Sequence, residues 1–288
     1  MTRYLIRALA GELATTDEWD DHLLAFHRTY DVTSRSISHF RTSGGETSYE
    51  YLARRVRELA PRARDILDVG CGDGTLLARI ADEYGEDVGL YGVDLSQDEI
   101  DRARRRLPAV SLRRLDAATS ELGQKSYDAI VSHLTFLILS RPADVLRQIR
   151  DALRTGGILA LVAEDLSAQS SILQFAGAAL ASMRARLPAF APAIPRREPI
   201  ERDEVLGALL DGVDLGDRAV ERIELRASLS REQVWEFVEH TYAIGLLEPP
   251  LRRELRDHVD AEFAKISEKS ATVSMMLPLR FVVAQARS

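Results

Sequence analysis

Hydrophobic positions change their rhythm twice along the chain. From residue 17 to 60 they recur every three or four residues. In "DEWDDHLLAFHRTYD" these are Trp19, Leu23, Leu24, Phe26 and Tyr30, the period of an amphipathic helix. A Gly-Gly break follows. "TSYEYLARRVRELA" then reads as a helix opened by a Ser/Thr cap and closed at Pro61. Between 65 and 165, short unbroken apolar runs alternate with helical patterns. "DILDVG" (65–70), "DVGLYGVDLS" (87–96), "AVSLRRLDA" (109–117), "YDAIVSHLTFLIL" (127–139) and "GILALVAED" (157–165) read as strands. "TLLARIADEYG" (75–85), "SQDEIDRARRRL" (96–107) and "PADVLRQIRDALRTGG" (142–157) read as helices. Ser96 and Glu99 have the spacing of a capping box. Pro142 opens the last of these helices and Gly-Gly closes it. Such alternation predicts a parallel sheet covered by helices on both faces. Strands as uniformly apolar as "ILALVA" suit burial on both sides.

After residue 165 the rhythm changes again. Residues 166–187 look helical, and 188–199 are proline-rich. The remainder reads as a helix (201–210), an alternating strand (217–230), two helices and a closing strand (274–286). Pro278 inside that last strand predicts an edge, a bulge or a start at 279. Four consecutive parts are therefore expected: a helical cap (1–60), a core (61–165), a lid insertion (166–199), and a tail (200–288) that completes the sheet.

Composition narrows the function. The net charge is −7 and 29% of residues are charged, which speaks against a nucleic-acid surface. Arg102, Arg104, Arg105, Arg106, Arg113 and Arg114 are interleaved with acids and read as solvated faces. Cys71 is the single cysteine. An internal disulfide and a cysteine zinc site are thus excluded, and a cytoplasmic setting fits. No apolar run reaches membrane-spanning length, and the N-terminus lacks a signal-peptide core. No metal is expected. A homodimer is allowed but not required.

The chemistry concentrates in "ILDVGCGDGTLL", residues 66–77. Three glycines sit between strand and helix, where open parallel sheets bind ligands. A dinucleotide loop has the spacing G-x-G-x-x-G. Here the spacing is G-x-G-x-G, with Asp68 before it and Asp73 inside it. These acids suit a ligand carrying an amino group or a sulfonium better than one carrying a pyrophosphate. Asp94 ends the second strand, twenty residues after Gly74, where an acid accepts from ribose hydroxyls. Asp116 ends the third strand, where a carboxylate can accept an adenine amino group.

"DILDVGCGDGTLLARI", "YGVDLS", "LDA", "YDAIVSHLTFLIL" and "LRTGGILALVAED", in this order, resemble a class I S-adenosylmethionine-dependent methyltransferase of the small-molecule type. The resemblance implies a seven-stranded, doubly wound α/β sheet, mostly parallel with the last strand antiparallel. It also implies S-adenosyl-L-methionine as cofactor and S-adenosyl-L-homocysteine as product. By the same resemblance Asp68 and Gly70 border the amino-acid part, Asp94 holds the ribose, and Asp116 with Ala117 meets the adenine. Cys71, Gly72, Leu95 and His133 are further expected cofactor contacts, His133 at the end of the fourth strand. His133 is also a candidate base, with packing against the cofactor as the alternative. The Asn/Asp-Pro-Pro-aromatic motif of nucleic-acid base methylation is absent from this position.

Glu164, His27, Tyr30 and Tyr242 are candidate acceptor-pocket residues. Arg196, Arg197 and Glu198 are candidate lid contacts. Phe26, Phe40, Leu173, Phe175, Met183 and Phe190 suggest a closed pocket for a small, partly apolar acceptor. The expectation is methyl transfer to a natural-product-like molecule in secondary metabolism. A methyltransferase acting on tRNA or protein, and a protein of this fold that binds the cofactor without transferring methyl, remain as alternatives.

Overall fold

The computed structural model describes residues 1–30, 33–195, 200, 202–268 and 270–287. Arg196, Arg197 and Glu198 lie outside them. In chain order the helices are α1 (Arg3–Ala10), α2 (Thr16–Thr29), α3 (Thr33–Ile37), α4 (Ser48–Leu59), α5 (Thr75–Tyr84), α6 (Gln97–Arg106), α7 (Pro142–Ala152), α8 (Ser171–Ser182), α9 (Asp203–Asp211), α10 (Arg231–Glu239), α11 (Tyr242–Gly245) and α12 (Pro249–Ile266). The strands are β1 (Asp65–Val69), β2 (Gly89–Asp94), β3 (Ser111–Arg114), β4 (Tyr127–His133), β5 (Leu153–Glu164), β6 (Leu215–Ser230) and β7 (Thr272–Ala286).

The strands form one sheet in the order β3-β2-β1-β4-β5-β7-β6. Pairings from β3 through β5 are parallel, and β7 runs antiparallel to β5. Seven strands with an antiparallel last strand are what the sequence leads one to expect. Pro278 lies just outside the β5 ladder, which runs from Leu279 to Gln285. Its missing N–H therefore costs that ladder nothing. β5 starts earlier than its apolar run, at Leu153, because Tyr127 pairs there before a register shift.

Chain contacts gather the molecule into two compact units, each built from three separate stretches. Neither coincides with one of the four consecutive parts expected above. One unit holds Met1–Gly45, Ala168–Pro195 and Glu224–Pro278. The other holds Glu46–Ser167, Arg196–Ile223 and Leu279–Ser288.

The second unit contains the glycine segment. On one sheet face Leu67, Val69, Ile130, Leu159, Leu161 and Val282 pack with Val145, Leu146 and Ile149 of α7 and Leu206 and Leu210 of α9. Each buried aliphatic side chain contributes about 1.5–3 kcal/mol. α4 starts with a complete capping box, Thr47 with Glu50. At α6 only the Ser96 half of the expected box is described: Ser96 Oγ accepts from the Glu99 amide, and the Glu99 carboxylate binds Arg102 at 2.9 Å.

The first unit is organised around aromatic rings. Tyr4 meets Trp19 at 4.8 Å and His22 at 4.5 Å between centroids. His22 Nε2 lies 2.7 Å from the Tyr242 carbonyl, which can only accept. Nε2 therefore carries the proton, and Nδ1 accepts from Thr2 Oγ1 at 2.7 Å.

Candidate active site

β1 delivers the chain into the glycine segment. The Gly70 and Cys71 amides donate to the Val93 carbonyl at 2.8 and 3.0 Å, fastening the loop to β2. Gly70 has φ +75°, and a Cβ there would lie 2.3 Å from Thr135 Cγ2 and Oγ1. Thr135 reaches this spot because Leu134, at φ +57°, turns the chain sharply at the end of β4. Its hydroxyl lies 3.2 Å from the Gly70 carbonyl and 3.3 Å from the His133 carbonyl. The loop needs glycine here both for its dihedral and for this approach.

The acids of the loop divide into two kinds. Asp73 is accounted for locally: it accepts from the Thr75 amide and hydroxyl, and from Arg106 at 2.8 Å. Its charge is thus met by Arg106 and does not weigh against a phosphate as its place in the sequence suggested. Asp68 is the opposite case. It is 1% exposed, and its Oδ1 is buried with no hydrogen-bond partner among the described residues. Desolvation, with the charge of Asp94 second, raises its carboxyl well above the usual range. An unpaired buried carboxylate is costly, and a cationic ligand at this point would relieve that cost.

Asp94 is held ready by the backbone. Oδ2 accepts from Gly72 at 3.0 Å and Oδ1 from Ser96 at 2.8 Å. Leu95 offers its carbonyl to Arg114. Asp116 follows β3 and leads into Ala117. It accepts from the Ala118 amide, Thr119 Oγ1 and Arg141 Nη2, each at 2.9 Å. Cys71 is buried with Leu77, Ile100, Ala103 and Leu112. Desolvation first, then Asp94 and Asp68, raise its thiol well above the ordinary value. It packs as a small apolar side chain.

His133 closes β4. Its Nε2 lies 2.8 Å from Ser48 Oγ, and Tyr49 stacks on its ring at 3.8 Å. Desolvation lowers its pKa to about 3. A neutral, enclosed imidazole of this kind is a wall and a hydrogen-bond partner, and a weak base near pH 7. It also sets a pH dependence. The folded value lies below the unfolded ~6.5, so the stabilisation is complete above that pH and falls as pH drops toward 3. Moving from pH 7 to pH 5 should cost about 2 kcal/mol through His133 alone. His22, lowered chiefly by burial, acts in the same direction. Urea unfolding of the wild type and His133→Gln at both pH values checks this. An equal pH 7-to-5 loss in the two proteins would place the acid sensitivity elsewhere.

Strand register puts several of these groups on one sheet face. Asp68 pairs with Gly92 and Val131, and His133 with Val162. Side chains two residues apart on a strand share a face. Asp94, Asp68, His133 and Glu164 therefore stand at the carboxyl ends of β2, β1, β4 and β5 on the same side. His27, Tyr30 and Tyr242 belong to the other unit. There His27 and Tyr242 lie 5.7 Å apart, Phe26 touches both Tyr30 and Tyr242, and Tyr30 donates to the Gly245 carbonyl at 2.7 Å.

Sequence reasoning missed Ser48, Tyr49, Thr135 and Arg141. The "TSYE" capping signature marks where α4 begins. Nothing local says that this helix start meets a histidine 85 residues away. Among the described residues no cluster of metal-ligating side chains occurs, and no helix is long and apolar enough to cross a membrane.

Residues 66–157 match the model of a family described as a methyltransferase domain. A Streptomyces venezuelae protein, dTDP-3-amino-3,4,6-trideoxy-alpha-D-glucopyranose N,N-dimethyltransferase, is 41% identical over 81 residues. These are 28% of this chain and 32% of that one. The chain spans about a third of the length of the curated relatives it matches. Among solved structures, phosphoethanolamine N-methyltransferase 2 from Haemonchus contortus, in complex with S-adenosyl-L-methionine, superposes with a TM-score of 0.55 at 15% identity. The match covers 96% of this chain and 61% of that one. The [4+2]-cyclase SpnF superposes with a TM-score of 0.54 at 16% identity, over 95% of both chains. Likeness at this level concerns the fold.

Proposed function

From the premise that residues 66–157 form a methyltransferase domain of the class I, Rossmann-like kind, we propose that the chain binds S-adenosyl-L-methionine and transfers its methyl group to a small, partly apolar molecule. The observation that carries this reading is Asp68, a buried carboxyl with an oxygen that lacks a partner beside a glycine loop. When bound, the cofactor supplies an activated methyl on a positive sulfur and brings a cationic amino group. Asp68, with Gly70, Cys71 and Gly72, would hold that amino-acid end. Asp94 and Leu95 would meet the ribose, Asp94 already being oriented by Gly72 and Ser96. Asp116 and Ala117 would meet the adenine. Asp116 would share its carboxylate with Ala118, Thr119 and Arg141. His133 would wall the cofactor from β4, pinned by Ser48 and Tyr49.

A small acceptor is supported by the activities for which relatives are named, which include an amino-sugar N,N-dimethyltransferase and aklanonic acid methyltransferase. The net charge of −7 disfavours an RNA groove. Methyl transfer is an in-line displacement, so the residues' main work is alignment and exclusion of water.

Calorimetry with S-adenosyl-L-methionine and S-adenosyl-L-homocysteine tests the proposal. Micromolar binding of both is expected. Asp94→Ala should weaken it by about 1.5–3 kcal/mol, the loss of a charge-assisted hydrogen bond. Absence of binding in the wild type would remove the proposal, and an unchanged dissociation constant in the variant would remove Asp94 from the site.

A further inference from the structure

We infer that Glu164 is the acceptor-side catalytic base of this site, and that the acceptor presents an amine to it. The inference rests on the methyl-transfer reading and deepens it.

Glu164 is the last residue of β5 and pairs with Leu279 of β7. Two residues earlier Val162 pairs with His133. Glu164 therefore stands on the same sheet face and the same carboxyl edge as His133, Asp68 and Asp94. Its neighbour Asp165 is committed elsewhere. Asp165 accepts from the Ser167 amide at 3.0 Å and from its hydroxyl, and pairs with Arg222 at 3.2 Å. Among the described residues no hydrogen bond or ion pair reaches Glu164. Burial holds its carboxyl above the usual carboxylate range, toward the pH at which a base works best. His133, the other candidate on this edge, has its Nε2 engaged by Ser48 and its ring covered by Tyr49.

Charge selects the acceptor. With the cofactor's amino group on Asp68 and its ribose on Asp94, Glu164 is left as a carboxyl on this edge that no cation reaches among the described residues. An acceptor that arrives as an ammonium complements this edge, whereas a neutral alcohol leaves the Glu164 charge uncompensated. In the step, one ammonium proton passes to a Glu164 carboxylate oxygen and leaves a neutral amine. The nitrogen lone pair then forms an N–C bond to the methyl as the S–C bond breaks, with its electrons returning to sulfur. The products are an N-methylammonium and a neutral thioether, and Glu164 later releases its proton to water.

The test uses two matched pairs of probes, 3-phenylpropylamine with 3-phenylpropanol and cyclohexylamine with cyclohexanol. Methylated product is read by mass spectrometry with S-adenosyl-L-methionine as donor. The wild type should methylate the amines at least ~10-fold faster than the alcohols. Glu164→Gln should lose about 100-fold or more of amine turnover while its S-adenosyl-L-homocysteine affinity stays within about twofold, which also reports an intact fold. Glu164→Asp should recover part of the rate. Binding of S-adenosyl-L-homocysteine without amine preference, or amine turnover that survives Glu164→Gln, overturns the inference alone. A wild type that binds neither cofactor form sinks the reading beneath it as well.

Discussion

Asp68→Asn should make the protein more stable and a poorer binder of its cofactor. Asp68 carries a buried oxygen with no partner, and burial raises its carboxyl well above the usual range. The sign follows from that direction. Its folded pKa lies above the unfolded ~3.9, so whatever it contributes to stability is present below that pH and is lost as pH rises through the folded value. Asparagine does not ionise. The variant's advantage should therefore grow between pH 4 and pH 7, reaching about 1–3 kcal/mol, the cost of a buried unsatisfied group. The same substitution removes the charge that would meet a cationic amino group. Affinity for S-adenosyl-L-homocysteine should fall by roughly 10- to 150-fold, equivalent to about 1.5–3 kcal/mol. Urea unfolding across this pH range and calorimetry at pH 7 measure the two effects. A variant less stable than the wild type at pH 7 would show that the Asp68 carboxylate is paired after all.

Gly70→Ala should be damaging in both respects. Alanine would have to hold φ +75°, at a cost of about 1–2 kcal/mol. Its Cβ would also stand 2.3 Å from two side-chain atoms of Thr135 and 2.7 Å from Thr135 Cβ. Overpacking of that kind costs about 1–3 kcal/mol. A total near ~3 kcal/mol corresponds to a fall in Tm of roughly 6–12 °C for a chain of this size. Cofactor affinity should drop more than ~10-fold, because the loop must move off β4. Combining it with Thr135→Ala removes the two atoms at 2.3 Å and leaves the Cβ at 2.7 Å. The double variant should recover part of the loss and keep the dihedral cost. Full recovery would mean that backbone strain at Gly70 is negligible.

The parts of this site that were legible in the sequence are those with local causes. A strand rich in apolar residues, a glycine loop and a helix start are adjacent in the chain, so their letters suffice. Asp68, Gly70, Gly72 and Asp94 were placed at the carboxyl ends of β1 and β2 in this way, where the structure has them. Asp73 shows the limit within a single loop. Its position suggested a bar to phosphate, yet Arg106, 33 residues away, meets its charge. His133 shows it over a longer range. The sequence left it open between a base and a residue packed against the cofactor, and enclosure by Ser48 and Tyr49 keeps its imidazole neutral.

The sequence by itself determined the α/β class, the five consecutive parallel-sheet strands, the glycine loop and the acids at the ends of β1, β2, β3 and β5. Periodicity and turn chemistry are properties of neighbouring residues, and they fix local conformation wherever a single face must be buried. The tertiary structure decided which acids are paired and which are left without partners. Asp73 and Asp165 found arginines, while Asp68 and Glu164 did not. It also decided that Thr135 presses on Gly70. Those outcomes depend on groups brought together from distant strands and on how completely water is removed from them, and neither is written in any local stretch of the chain.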